Sequence, residues 1–203
     1  MITITKRKLP TKKLKWILQI SEELKKKYSH VSLFDLTVIS LNELLNDRRY
    51  KMLKFHLKTN ATCLFGRDIS KLIKPYHVGK PLIKELYQNF DKDINALKEL
   101  LIEKNNQREF LFKERPLKFW CNWIMRDILR AGGAFVTAKN NTYTRDLQDC
   151  NKLFNIKYPQ YKKEMDGALK LVFKPTSNKS ALLKYLNNFT PKLIFIWREV
   201  LNN

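Results

Sequence analysis

The chain has 203 residues and a mass of 24.3 kDa, with 40 Lys and Arg against 19 Asp and Glu and a formal net charge of +21. Hydrophobic residues make up 44% of it, which excludes wholesale disorder, and its 5 Gly and 7 Pro favour long, mostly helical elements. The positive charge favours polyanionic partners such as nucleic acid, nucleotides or an acidic protein, although a Lys- and Asn-rich composition also arises from an AT-rich genome.

The cysteines, histidines and apolar runs indicate which cofactors and which cellular location to expect. Cys63, Cys121 and Cys150 are far apart and odd in number, so neither a disulfide framework nor a CxxC metal site is predicted. The three histidines lack HExxH or paired spacing, which argues against zinc. Met1–Lys15 is basic with no apolar segment after it, and Leu193–Trp197 is too short to span a bilayer. We therefore expect a soluble, cytoplasmic protein that does not enter a membrane.

Residues 1–73 are predicted to form a small α/β domain. Met1–Thr5 alternates in character and is predicted to be a short strand, and a helix follows from Pro10 with apolar residues at helical spacing. The second predicted strand is Leu33–Ile39.

The rest of this domain contains a helix signal and a further strand. Ser40 and Glu43 form a capping-box signature, so a helix is predicted from about Leu41. Arg48–Leu57 has helical periodicity, and Thr62–Phe65 is predicted to be a last short strand, closed by a glycine.

Asp35 places a single carboxylate on an otherwise apolar strand. Side chains alternate faces along a strand, so Asp35 shares a face with Thr37 and Ile39. A lone ionised carboxylate on a half-buried strand is costly unless it meets a cation or a hydrogen-bonding partner. Asp35 is therefore a candidate metal ligand. The alternative is an aspartate near a strand end that only hydrogen-bonds a neighbouring backbone.

Residues 79–203 are predicted to form a helical bundle domain. From Pro81 onward the apolar period is 3.6, and one continuous stripe is formed by Ile83, Leu86, Phe90, Ile94, Leu97 and Leu101. A second long helix has an apolar face that consists of Leu117, Trp120, Ile124, Ile128, Ala131 and Phe135. Shorter helices are predicted at Arg145–Phe154, Gln160–Leu171, Ser180–Asn188 and Pro191–Val200. Such stripes need partners, so an antiparallel helical bundle is the simplest architecture for this domain. Together with the predicted strands of residues 1–73, the fold class is mostly helical α+β, a small mixed sheet followed by a C-terminal helical bundle.

The second long helix also carries arginines on the face opposite its apolar stripe. Arg126 and Arg130 lie one turn apart there, and Lys139 and Arg145 follow closely in sequence. Arginine suits bidentate phosphate binding, so these residues are candidate phosphate ligands. The alternative is a solvated outer face of an amphipathic helix.

Two further features of this helix are predicted to have structural rather than ligand-binding roles. The Ala-Gly-Gly-Ala segment Ala131–Ala134 lacks the preceding strand and the Lys-Ser/Thr pair of a phosphate loop, so we expect it to permit close helix packing or a kink. Trp120 and Trp123 are predicted to be core residues rather than a platform for stacking bases.

Two stretches of the sequence resemble a nucleotidyltransferase family of the polymerase β superfamily, the bacterial type with a helical C-terminal half. Phe34–Leu45 and His56–Ile69 are similar to the end of its catalytic domain, where a strand carries the third metal-binding carboxylate. Tyr143–Asp146 opens a second stretch that is similar to the helical substrate or nucleotide half. This stretch continues through Cys150, Phe154, Tyr158, Pro159 and Ala168–Leu171.

The resemblance implies roles for the residues already singled out. Asp35 would be the catalytic carboxylate that helps to bind Mg²⁺, and the helical half would line the nucleotide cleft. The phosphates would then be bound by Arg126, Arg130, Lys139 and Arg145.

The family also has a Gly-Ser turn that holds the triphosphate and a strand with two acidic residues one position apart. Neither precedes Asp35 here, because Gly66 is the first glycine and Glu22 the first acidic residue. Two-metal transfer needs several carboxylates to hold two Mg²⁺ ions about 3.5–4 Å apart, and one carboxylate cannot assemble that site.

We therefore expect a truncated or split nucleotidyltransferase that is inactive alone. With Mg²⁺ and a companion chain carrying the Gly-Ser and Asp-x-Asp segment, it would transfer a nucleoside monophosphate from a triphosphate to a hydroxyl. The alternative is a non-enzymatic basic module that binds nucleic acid or a partner protein.

Overall fold

The computed structural model describes residues 2–10, 15–28, 36–102, 116–138 and 141–202. These residues form two units, Met1–Tyr76 and His77–Asn203. As predicted, the fold is mostly helical α+β. Each unit is described in turn.

In the described part of the first unit, strands β1 (Ile2–Thr5) and β2 (Thr37–Ser40) form a parallel pair, with Ile2 opposite Thr37 and Thr5 opposite Ser40. Helix α1 (Lys15–Lys27) lies between them in sequence. Parallel strands require a crossover of this kind.

Helix α2 (Leu41–Asn46) begins with the predicted capping box. The Ser40 Oγ accepts the Glu43 N–H at 3.2 Å, and the Ser40 N–H donates back to Glu43 Oε2 at 3.4 Å. A 3₁₀ turn at Arg48–Tyr50 leads into α3 (Lys51–Thr59), and a second 3₁₀ turn spans Ile69–Leu72.

The prediction of a strand at Thr62–Phe65 is wrong. Residues 61–64 have no regular secondary structure, and the side chains of Leu64 and Phe65 are 82% and 98% exposed. The thiol of Cys63 lies 3.6 Å from the Phe65 carbonyl oxygen, as in a local turn. A β-rich composition forms a strand only when a neighbouring strand pairs with it, and none does so in the described chain.

The second unit is built from α4 (Lys80–Leu86), α5 (Phe90–Ile102), α6 (Leu117–Thr137), α7 (Leu147–Lys157), α8 (Lys162–Phe173) and α9 (Lys179–Asn202). A 3₁₀ turn at Pro159–Tyr161 joins α7 to α8. Helix α6 is central, because it packs on α5, α7, α8 and α9.

The stripe predicted to run unbroken from Ile83 to Leu101 is divided between two helices. Helix α4 ends when the Tyr87 N–H donates to the Ile83 carbonyl oxygen at 3.1 Å, and a turn follows. The break lets both Tyr87 and Phe90 contact Phe135 of α6 edge to face, with ring centroids 5.8 and 5.9 Å apart. Aromatic packing in the core thus overrides the continuous periodicity.

The two helices predicted at Ser180–Asn188 and Pro191–Val200 are one helix, α9. Pro191 removes only one backbone donor, and the carbonyl that loses it belongs to Asn187, an exposed residue that water can reach. Burial of Leu186, Phe189 and Leu193 continues across the proline, so core packing favours a single helix.

The prediction that Trp123 is a core residue is also wrong. Its side chain is 39% exposed, whereas Trp120 is half-buried. The apolar face of α6 repeats through Ile124 and Ile128, and Trp123 falls outside that repeat.

The glycine pair of α6 permits close helix packing, as the sequence predicts. A Cβ at Gly133 would lie 2.8 Å from the Cβ and 2.9 Å from the Cα of Cys150 on α7. A Cβ at Gly132 would collide with Met165 of α8 and lie 2.9 Å from the ring of Phe154. The backbones of α6 and α7 are therefore closer than any side chain at position 133 would allow.

Gly133→Ala is expected to lower the free energy of unfolding by about 1–3 kcal/mol, because the added methyl meets the Cα and Cβ of Cys150, which cannot rotate away. Urea unfolding followed by circular dichroism measures this. Gly167→Ala on α8 is the control, because its nearest neighbour, Tyr185, is 3.4 Å away and alanine gains up to about 1 kcal/mol of helix propensity. Equal stability of the two variants would contradict the close approach of α6 and α7.

Candidate anion-binding site

The structure places three of the predicted phosphate ligands in the second unit. Arg126 and Arg130 lie on α6, and Arg145 lies two residues before α7. Arg126 is exposed, and Arg130 and Arg145 are half-buried. The other predicted site residues, Asp35 and Lys139, lie outside the described residues.

Local hydrogen bonds fix the segment that carries Arg145. Asp146 is the N-cap of α7, and its Oδ1 accepts the N–H groups of Gln148 and Asp149, both at 2.9 Å. At the other end, Asn141 Oδ1 accepts the Val78 N–H at 2.6 Å. The segment between α6 and α7 is therefore anchored on both sides of the arginine.

Arg126 and Arg145 both lie close enough to Arg130 to affect it electrostatically. Burial lowers the pKa of Arg130, and the positive charges of Arg145 and then Arg126 lower it further. The Nε of Arg130 is enclosed and has no hydrogen-bond partner among the described residues. A buried donor without a partner and a cation beside like charges are both costly, so this cluster has an electrostatic deficit that an anion would relieve.

The carboxylate of Asp127 lies near the arginines, and that of Asp93 lies near Asp127. Burial raises the pKa of Asp127 to about 6, the negative charge of Asp93 on α5 raises it too, and Arg130 and Arg145 oppose this rise. The pKa of the exposed Asp93 is itself raised, chiefly by partial burial and then by Asp91. Asp127 is thus mostly ionised at pH 7 but takes up a proton in mildly acidic solution.

A pair of tyrosines adjoins Arg130. Tyr87 is 7% exposed, and burial raises its pKa well above the ordinary value. Its hydroxyl is hydrogen-bonded to the hydroxyl of Tyr143, which is half-buried. This bond ties the turn between α4 and α5 to the segment that carries Arg145.

The buried cysteines do not supply a nucleophile here. Burial raises the pKa of Cys150 to about 12 and also raises that of Cys121. Both thiols stay protonated at neutral pH, and only a thiolate is an effective nucleophile.

A small cavity is lined in part by Tyr143, and none of the three arginines lines it. It has a volume of about 290 Å³. Its lining consists of Thr137, Thr142, Tyr143, Thr144, Asp149, Lys152, Leu153 and Ile156.

Within the described ranges, no group of three or more His, Cys, Asp or Glu side chains is placed to hold a metal ion. Asp35, the predicted magnesium ligand, lies outside these ranges. The described helices include none that is both long enough and apolar enough to cross a membrane.

The sequence interpretation missed Asp127, Asp93 and the tyrosine pair. Asp127 could have been found, because it directly follows Arg126 and lies three residues before Arg130 on the same helix. Asp93 and Tyr87 come from elements distant in sequence, and only the packing of α5 on α6 brings them here.

No protein-family model, curated protein or solved structure matches this chain, so the resemblance to nucleotidyltransferases depends on the residues quoted above.

Asp127→Asn is expected to change how stability depends on pH. The folded-state pKa of about 6 exceeds the ordinary 3.8, so the contribution of this group is complete below pH 3.8 and is lost as the pH rises through 6. Wild type should therefore lose about 1–3 kcal/mol relative to the variant between pH 4 and pH 7, each pKa unit being worth about 1.36 kcal/mol before solvent screening.

Urea unfolding at a series of pH values measures this difference. Glu199→Gln is the control, because it removes an exposed carboxylate from α9. Parallel profiles for wild type and Asp127→Asn would contradict the raised pKa.

Proposed function

We propose that this chain is a nucleotidyltransferase-like protein whose helical unit binds the phosphates of a nucleoside triphosphate through Arg126, Arg130 and Arg145. The observation that carries the proposal is Arg130, a half-buried residue whose Nε is enclosed and without a hydrogen-bond partner, and whose pKa is lowered by Arg145 and Arg126.

Phosphate is a suitable ligand for the three arginines. Its oxygens accept bidentate hydrogen bonds from guanidinium groups, and its negative charge offsets the repulsion between the arginines. Asp127 offsets part of the positive charge, because it lies close enough to Arg130 and Arg145 for both to lower its pKa.

The chemistry that follows from the resemblance is transfer of a nucleoside monophosphate to a hydroxyl, in the cytoplasm. Asp35 would be one of several carboxylates that hold Mg²⁺. The remaining carboxylates and the Gly-Ser turn would come from a companion segment, because two-metal transfer needs them.

Tripolyphosphate and ATP are expected to bind the wild-type chain, and Arg130→Gln is expected to weaken both by about tenfold or more, the usual effect of losing a hydrogen bond to a charged group. Isothermal titration calorimetry measures the affinities. Arg198→Gln is the matched control, because it removes the same charge from an exposed position on α9.

The stability of Arg130→Gln provides a second measurement. Because the wild-type cation is desolvated and repelled by its neighbours, the variant should be at least as stable as wild type in low salt without an anion. Equal weakening by Arg198→Gln would show that binding depends on overall charge and would overturn the assignment of the site.

Nucleotide incorporation is expected to be absent when the 203-residue chain is incubated with NTP and Mg²⁺, because one carboxylate cannot hold two metal ions. Incorporation of a labelled nucleotide into candidate hydroxyl acceptors measures this. Turnover by the purified chain that disappears in Asp35→Ala would contradict the expectation.

The second candidate function is a non-enzymatic basic module for nucleic acid or a partner protein, and the net charge of +21 favours it. A single-stranded RNA in the same titration distinguishes the two. RNA binding that falls steeply with salt and equally in Arg130→Gln and Arg198→Gln would favour the module.

A further inference from the structure

Trp123 lies on the same face of α6 as the arginines. It precedes Arg126 by three residues and Arg130 by seven, and residues at these spacings lie in one row on a helix. Seven residues span about 10 Å along the axis, at about 1.5 Å per residue. The row therefore has an aromatic ring at one end and the half-buried Arg130 at the other.

The ring of Trp123 is held by its neighbours yet stays accessible. It packs edge to face on Trp120, with centroids 6.0 Å apart and planes at 79°. Trp120 packs in the same way on Phe119, at 5.2 Å and 90°. These contacts give the ring an orientation, while 39% of the side chain remains exposed. An ordered, exposed tryptophan is a suitable surface for a planar ligand.

The row continues toward the segment that carries Arg145. From Gly133 onward the same face of α6 is covered by α7, since Cys150 contacts that glycine, and Thr137 is buried. The accessible part of the face thus ends at the arginine cluster. A ligand that extends along it from Arg130 reaches Trp123.

We propose that Trp123 stacks on the base of the nucleotide whose phosphates Arg126, Arg130 and Arg145 bind. This inference rests on the proposed function and extends it, because it assigns a nucleoside, and not only a polyphosphate, to the site. Stacking on an aromatic side chain tolerates every base, so the contact adds affinity with little selectivity beyond a preference for the larger purine rings.

The test compares ATP with inorganic tripolyphosphate, which has the phosphates but no base. Trp123→Leu is expected to weaken ATP binding by about tenfold while tripolyphosphate binding stays within about twofold of wild type. Trp123→Phe, which keeps an aromatic ring, should restore most of the ATP affinity. ATP should also quench tryptophan fluorescence in wild type, and less so in Trp123→Phe.

Trp16→Leu is the matched control, because Trp16 is 40% exposed and lies on α1 of the first unit. It should leave both affinities unchanged. Thermal unfolding followed by circular dichroism checks that each variant is folded.

The outcomes separate the inference from the proposal beneath it. Tripolyphosphate binding that depends on Arg130, with no selective loss of ATP in Trp123→Leu, would overturn the stacking role alone. Equal losses for ATP and tripolyphosphate in Trp123→Leu would also overturn it. No binding of tripolyphosphate to wild type would overturn both.

Discussion

The close approach of α6 and α7 at Gly133 is the contact on which the candidate site depends. Cys150 lies against that glycine, one turn after the N-cap Asp146. The same approach holds the preceding residue, Arg145, close enough to influence Arg130. A larger residue at position 133 would separate the helices and move one arginine away from the others. The packing of a small residue in the core therefore determines the electrostatics at the surface.

The arrangement is costly for the folded chain, and the cost points to binding. Arg130 is partly desolvated beside two like charges, and Asp127 holds a proton more tightly than a solvated carboxylate does. The apolar contacts of α6, from Ile124 to Phe135, offset these penalties. Groups with strongly shifted pKa values that serve no evident structural purpose are concentrated at functional sites. Surface lysines spread over the chain carry no such penalty. The electrostatic penalty at Arg130 is therefore a more specific sign of a binding site than the net charge of +21.

The parts of the fold that depend on neighbouring residues could be predicted from the sequence. The parts that depend on tertiary packing could not. The Ser40–Glu43 capping box and the long helix α6 involve only neighbouring residues, and both are confirmed. The predicted strand at Thr62–Phe65 failed because strand formation depends on a pairing partner. The break at Tyr87 and the continuity of α9 through Pro191 were set by core contacts. Of the site, the arginines of α6 could be identified from helical spacing, whereas Asp93 and Tyr87 could not.

Phosphate binding and nucleotidyl transfer place different demands on this chain. Transfer needs several carboxylates around two metal ions, and the proposed resemblance assigns only Asp35 of this sequence to such a role. Phosphate binding needs only donors and positive charge, which the helical unit provides from its own residues. The two proposed functions are therefore separable, because the nucleotide binding proposed for the helical unit does not require a completed metal site. The exposed ring of Trp123 at one end of the arginine row would distinguish a nucleotide site from a general polyanion surface. Trp123 would contact a base, whereas phosphate groups alone would make no contact with it.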